Sequence, residues 1–155
     1  LADYNGVFRR FEYKGTKEGI IVYDYYAQHP TEIEATLKGL RDGTNHRIIA
    51  VFQPHLFSRT RDFYQEFGRS FFQSDALIVT PIYPARELPI PGITGKMIAD
   101  AAINSGHQNV YYVENNSDII SQISAIAQEG DIVLTLGAGN IYRYGESFLQ
   151  NKKDI

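Results

Sequence analysis

Five times along this chain a short apolar run passes through a turn into a segment whose apolar residues recur every three or four positions. The runs at 20–23, 47–52, 76–83, 110–113 and 132–136 read as buried strands. The segments 31–41, 58–74, 94–105, 117 to near Gly130, and 141 to about 150 read as helices. Ile33, Leu37 and Leu40 stripe the first helix, and Phe63, Phe67 and Phe71 the second. Met97, Ile98, Ala101 and Ala102 mark the third, and Ile119, Ile120, Ile123, Ile126 and Ala127 the fourth. The phenylalanines, Phe72 included, are expected in the core. Ser117 is expected to cap the fourth helix and Gly130 to end it. Regular strand–helix alternation requires a parallel sheet covered on both faces and joined by right-handed crossovers.

Before this series, residues 7–13 alternate loosely and carry aromatic and β-branched side chains, and 14–19 read as a turn. That pair makes a hairpin whose first strand adds antiparallel at an edge. The expected fold class is α/β: a Rossmann-like three-layer sandwich with a mostly parallel sheet of about six strands and an N-terminal antiparallel edge hairpin, one domain over 1–155. Residues 151–155 are expected to fray. At 43% hydrophobic and 21% charged residues, the composition is that of a chain able to bury a core.

With 15 basic and 18 acidic residues the net charge is −3, so no basic excess attracts nucleic acid or an anionic membrane. Cysteine is absent, which excludes disulfides, thiol catalysis and Cys-based zinc sites. No run approaches the roughly 20 apolar residues that span a bilayer. The opening Leu1-Ala2-Asp3 is neither a signal nor a transit peptide and lacks an initiator Met. The expectation is a cytoplasmic protein of which this chain is one piece.

The unusual polar residues gather where strands end. Asp24, Tyr26, Gln28 and His29 follow the first sheet strand; Gln53, His55, Ser58 and Arg59 the second; Tyr83, Arg86 and Glu87 the third; Gly137, Gly139 and Asn140 the last. In open parallel sheets that edge is where ligands sit, and helix N-termini there favour anions. Arg59 lies in the first helical turn, where a positive charge opposes the dipole. A bound carboxylate or phosphate would compensate it, as would a pair with Asp62 or Glu66. Taken singly, His29 and His55 read as loop or packing residues, and His46 and His107 as solvated turn residues. Glu32 and Glu34 read as first-turn caps. Gly137-Ala138-Gly139 resembles the start of a dinucleotide fingerprint, but Tyr142 replaces the third glycine, and a tight turn explains it equally well. No P-loop motif occurs.

Five blocks in register carry a resemblance: Arg9-Arg10-Phe11-Glu12, Asp24-Tyr25-Tyr26-Ala27-Gln28-His29-Pro30-Thr31-Glu32, Phe52-Gln53-Pro54-His55-Leu56-Phe57-Ser58-Arg59-Thr60, Tyr83-Pro84-Ala85-Arg86-Glu87, and Gly137-Ala138-Gly139-Asn140-Ile141. Together they resemble the C-terminal domain of the ATP-dependent Mur ligases of peptidoglycan synthesis. The resemblance implies a three-domain enzyme whose absent central domain holds most of the ATP and Mg2+. L-alanine and UDP-N-acetylmuramate would be its substrates, joined through an acyl phosphate. It also implies that Arg10 lies near the nucleotide phosphates and that Tyr26, His29, His55 and Arg59 line the amino-acid cleft. Asp24, His29 and His55 are then catalytic candidates, with Asp24 also facing the cofactor; Arg59, Tyr26, Gln28 and Ser58 bind substrate. A chain of this kind is expected to be inactive without its other domains.

Two positions depart from the family's usual Asp-Asp-Tyr-(Ala/Gly)-His-His-Pro: Tyr25 replaces the second carboxylate and Gln28 the first His. Tyrosine is neutral at pH 7 and Gln28 cannot act as a base. The competing expectations are a domain that accepts murein tripeptide in place of alanine, and a non-catalytic ligase-like binding domain.

Overall fold

The computed structural model describes residues 11–150. Strands β1 (Phe11–Lys17) and β2 (Ile20–Tyr25) open the chain, followed by α1 (Pro30–Gly43) and β3 (Ile48–Phe52). Next come α2 (Phe57–Arg69), β4 (Ala76–Val79), α3 (Lys96–Asn104) and β5 (Val110–Tyr112). One 3-10 turn (Asn116–Asp118) leads into α4 (Ile119–Ile126), and β6 (Ile132–Leu136) and α5 (Ile141–Gln150) complete the series. The six strands lie in the order β1-β2-β6-β3-β4-β5, with β1 antiparallel to β2 and every other pairing parallel. This is the expected α/β sandwich with its antiparallel edge hairpin.

Every residue of β3, β4 and β6 is buried, which is why these strands are continuous apolar runs rather than alternating ones. On one face Ile33 and Leu37 of α1, Phe67 of α2, and Ile98, Ala99 and Ala102 of α3 pack against Ala50, Phe52, Leu77, Leu134 and Leu136. On the other, Ile119 and Ile123 of α4 and Ile141 and Phe148 of α5 pack against Val22, Ile49, Val51, Ile78 and Val133. The chain steps outward from β2 to β5 with helices on the first face. It then returns through α4 on the second and inserts β6 between β2 and β3. Right-handed crossovers impose this change of face when the direction of travel reverses. At the carboxyl edge, therefore, β2 and β3 run into helices on one face while β6, lying between them, runs into a helix on the other.

Several sequence expectations are corrected. The strand start at 7–10, Arg10 itself and the tail 151–155 lie outside the described residues. Lys14 to Lys17, expected as turn, continue β1 across a bulge between Tyr13 and Gly15, leaving a tight turn at Glu18-Gly19. Bulged, polar strands of this kind are typical of sheet edges. Helix α2 ends at Arg69, and its φ/ψ leave the helical region at Phe63. That kink breaks the four-residue stripe, so Phe67 and Phe71 bury against Phe52 at ring distances of 5.2 and 5.0 Å. Phe63 (43% exposed) and Phe72 (70% exposed) face outward and are not core. Ser117 falls inside the 3-10 turn and caps nothing; Asp118 precedes α4, which ends at Ile126 rather than at Gly130. Strand β4 stops at Val79. His107 is 9% exposed rather than solvated: its Nδ1 accepts the Asn109 N–H, so Nε2 carries the proton toward Ser74 Oγ, 3.2 Å away.

Helices α2 and α3 touch across Gly68. A Cβ there would stand 2.6 Å from Ala101 Cβ and 2.8 Å from the Ala102 nitrogen. Alanine ordinarily gains up to about 1 kcal/mol over glycine in a helix. Here the backbone clash outweighs that gain, and Gly68→Ala is expected to lower unfolding free energy by about 1–3 kcal/mol, measurable by urea denaturation.

Candidate functional site

The β3–α2 turn is built by backbone bonds to two neighbouring loops. Gln53 N donates to Leu136 O at 3.0 Å, and Thr80 N donates to Phe52 O at 3.0 Å, extending the ladder on both sides. Beyond Pro54, Tyr83 N donates to Pro54 O (2.8 Å) and Leu56 N to Tyr83 O (2.9 Å). These bonds form a one-residue parallel bridge that lays the Tyr83 ring flat against the His55 ring at 5.7 Å and 13°. Leu56 adopts φ +77, a backbone state that costs a bulky side chain on the order of 1–3 kcal/mol and persists only where its surroundings impose it. Helix α2 begins at the next residue.

Its first turn is occupied by Glu87 from the loop after β4. One carboxylate oxygen accepts Ser58 N at 3.0 Å, and the other takes Ser58 Oγ in a very short contact. These two bonds, led by the Ser58 hydroxyl, hold the Glu87 carboxyl below its ordinary pKa, with the nearby Phe57 backbone acting in the same direction. Arg59 follows, half-buried, with Nη1 3.4 Å from His55 Nδ1. The alternative pair with Asp62 or Glu66 does not form: Asp62 is taken by Arg61 at 2.8 Å, and no described carboxylate lies within ion-pair distance of Arg59. Burial first, then the Arg59 charge, lowers the His55 pKa against an opposing pull from Glu87. His55 is therefore neutral at pH 7.

The β6–α5 turn closes on this one. Gln53 Nε2 donates to Asn140 Oδ1 at 2.8 Å, while Gln53 Oε1 is buried without a partner among the described residues. A Cβ on Gly139 would stand 2.5 Å from Tyr83 Cγ and 2.7 Å from Gln53 Oε1. The glycine turn is explained by this close approach, not by a dinucleotide fingerprint.

On the far side of β6 lies the β2–α1 loop. Ala27 N reaches Gly137 O at 3.4 Å. Gln28 Nε2 donates to the Tyr26 hydroxyl at 2.6 Å, and the Glu32 carboxylate accepts Gln28 N (2.8 Å) and His29 N (3.1 Å), fixing the start of α1 as its first-turn position implied. Tyr26 and His29 are exposed. The structure thus brings His55, Ser58 and Arg59 into one contiguous group. It sets Tyr26, Gln28 and His29 on the same sheet edge across the β6 turn, with no direct hydrogen bond between the two groups among the described residues.

Asp24 and Tyr25 point in opposite directions. Tyr25 is 2% exposed in the core beneath α1, its ring 6.3 Å from Phe11. Asp24 lies on the α5 face, where Thr135 Oγ1 donates to its Oδ1 at 2.5 Å. Lys14 stands in the same cluster, bridging to Glu146 at 2.9 Å. Desolvation raises the Asp24 pKa to about 6, with the Thr135 bond and the Lys14 charge opposing. Gln53, Tyr83, Glu87 and Asn140 were visible in sequence only as edge residues without roles. Thr135 left a signal: it is the one polar residue of the strand Ile-Val-Leu-Thr-Leu.

Loops parting around an inserted strand thus set a half-buried arginine, with no carboxylate partner among the described residues, beside an imidazole at the carboxyl edge of the sheet. Residues 9–139 match the family described as Mur ligase, glutamate ligase domain. The chain belongs to that family. It is 48% identical over 151 residues to the UDP-N-acetylmuramate–L-alanine ligase of Salinibacter ruber, covering 97% of this chain and 32% of that protein. The ligase of the same description from Desulfosudis oleivorans is 46% identical, with 96% and 33% covered. Among solved structures, the UDP-N-acetylmuramate–alanine ligase of Thermotoga maritima superposes with TM-score 0.75 at 29% identity, over 97% of this chain and 31% of that one. The chain spans about a third of the length of these relatives.

Two substitutions test the arrangement. Asp24, with its folded pKa raised from 3.8 to about 6, contributes stability that is complete below pH 3.8 and lost as pH rises through 6. Asp24→Asn keeps the Thr135 bond and removes this loss. Its unfolding free energy is expected to exceed that of the wild type by about 1–3 kcal/mol at pH 7 and to converge with it near pH 4. Tyr25→Asp buries a carboxylate in the α1-side core and is expected to destabilise by at least about 3 kcal/mol in a urea titration.

Proposed function

We propose that this chain is the C-terminal, amino-acid-binding domain of a three-domain ATP-dependent amide ligase that joins L-alanine to UDP-N-acetylmuramate in the cytoplasm for peptidoglycan synthesis. The observation that carries the reading is Arg59, held at the mouth of the edge with one guanidinium nitrogen turned to His55. Its remaining edge, Nε and Nη2, suits the two oxygens of an amino-acid carboxylate, a charge-assisted pairing roughly twice as strong as a neutral one. The relatives of the same description support the choice of reaction.

In this reaction the γ-phosphoryl group of ATP passes to the UDP-N-acetylmuramate carboxylate, giving an acyl phosphate and ADP. The amine of L-alanine then attacks the acyl carbon, an amide C–N bond forms, and the C–O bond to phosphate breaks. The alanine ammonium must first lose a proton. Where His55 Nδ1 turns its lone pair to Arg59, the ring proton sits on Nε2, so His55 acts as a donor that orients the reactant. Proton acceptance falls to His29. Tyr26, Gln28 and Ser58 complete the polar wall.

Arg10 belongs beside the nucleotide phosphates, and Asp24, with Oδ1 on Thr135, keeps Oδ2 for the nucleotide side. Magnesium supplies charge neutralisation on the phosphates when bound. The described residues contain no group of three or more His, Asp or Glu suited to hold it, so this reading assigns the ion and the triphosphate to the central domain of the same polypeptide. Among the described residues no helix is long and apolar enough to cross a membrane.

Phosphate release by the full-length protein tests the assignment. L-alanine is expected to be preferred; preference for murein tripeptide would transfer the domain to the tripeptide ligases, and release with neither would make it a binding module. In the active protein, Arg59→Lys loses the planar fork and is expected to raise KM for L-alanine about 10- to 100-fold, equivalent to about 1.5–3 kcal/mol.

A further inference from the structure

The residue that organises the start of α2 comes from another loop. Glu87 accepts from Ser58 N and Ser58 Oγ, groups that lie two residues after the strained Leu56 and immediately precede Arg59. Its own loop is anchored four residues earlier, where Tyr83 bonds to Pro54 and Leu56 and stacks on His55. The two anchors straddle the segment 54–59 and fix both of its ends. They also fill the positive end of α2, which would otherwise offer unpaired N–H groups to any passing carboxylate or phosphate.

We propose that Glu87 is the positioning residue for the acceptor amino acid. Its carboxylate stands in for an anion at the α2 N-terminus, holding Ser58, Arg59 and His55 in register and leaving the Arg59 guanidinium as the receptor for the amino-acid carboxylate. The inference rests on the alanine-ligase reading above. In its absence the α2 terminus competes with Arg59 for the same reactant, and the turn relaxes from the φ +77 state at Leu56.

The test uses the full-length ligase with Glu87→Ala and the isosteric Glu87→Gln. Glu87→Ala is expected to raise KM for L-alanine by about tenfold while the KM values for ATP and UDP-N-acetylmuramate stay within about twofold. Added acetate or formate, entering the vacated end of α2, is expected to restore much of the loss, and matched chloride is not. Glu87→Gln, which keeps the shape without the charge, is expected to fall between wild type and Glu87→Ala, and decides the matter if Glu87→Ala fails to fold. An unchanged KM for L-alanine, an equal rise in all three KM values, or no rescue by carboxylates would overturn the assignment. Wild-type enzyme without L-alanine-dependent phosphate release would instead overturn the functional reading, and this inference with it.

Discussion

Strand β6 pairs in parallel with β2 on one side and β3 on the other, and both of its faces are covered by helices. Without that insertion β2 and β3 would not be held apart, and the loops that follow them would not flank a turn running to the opposite face. Ile21 to Tyr25 align with Ile132 to Leu136 on one side, and Ile48 to Phe52 align with the same five residues on the other. A one-residue slip in either ladder would send the inward-facing side chains to the wrong layer and carry the edge residues with it. The rim's geometry is therefore inherited from a strand buried along its whole length.

Above that strand the rim is knit by loops rather than by charge pairs. Gln53 reaches Asn140 across the β3–β6 boundary, Tyr83 reaches His55 across the β4 loop, and Gly139 removes the side chain that would block both. Two rim carboxylates serve helix starts: Glu32 accepts backbone N–H groups ahead of α1, and Glu87 accepts the Ser58 N–H and hydroxyl in the first turn of α2. The result is a rim where anionic groups cap helices and Arg59 stays available. An arginine in the first turn of a helix is unfavourable against the dipole, and Glu87 at that same terminus offsets it.

The layers were legible because burial on both faces writes itself into composition: Ile48-Ile49-Ala50-Val51-Phe52 admits little besides a central strand. The edge was less so. Lys14-Gly15-Thr16-Lys17 has the composition of a turn, and only pairing with β2 makes it a strand. Phe63 was misplaced because a helical stripe assumes an unbroken helix, and α2 kinks there; Phe72, outside the stripe, lies past the end of α2 at Arg69. In the site, the positions of His29, His55 and Arg59 at strand ends followed from the order of elements alone. The contacts between Glu87 and Ser58 and between Gln53 and Asn140 did not, because loop paths bridging 29 and 87 positions leave no periodic trace.

The two departures from the family pattern have different physical weights. Period-two alternation puts Tyr25 on the same face as Tyr23, and both pack in the α1-side core with Phe11. A carboxylate at that position would be desolvated among aromatic rings, so the neutral tyrosine is the residue this core requires, and Asp24 on the opposite face keeps the strand's one acidic group. Gln28 is a different matter, since it lies on the rim. Its amide ties the Tyr26 hydroxyl at 2.6 Å while its own N–H is held by Glu32. An imidazole there would titrate near neutrality; an amide does not. The substitution therefore keeps that position of the rim uncharged whatever the pH.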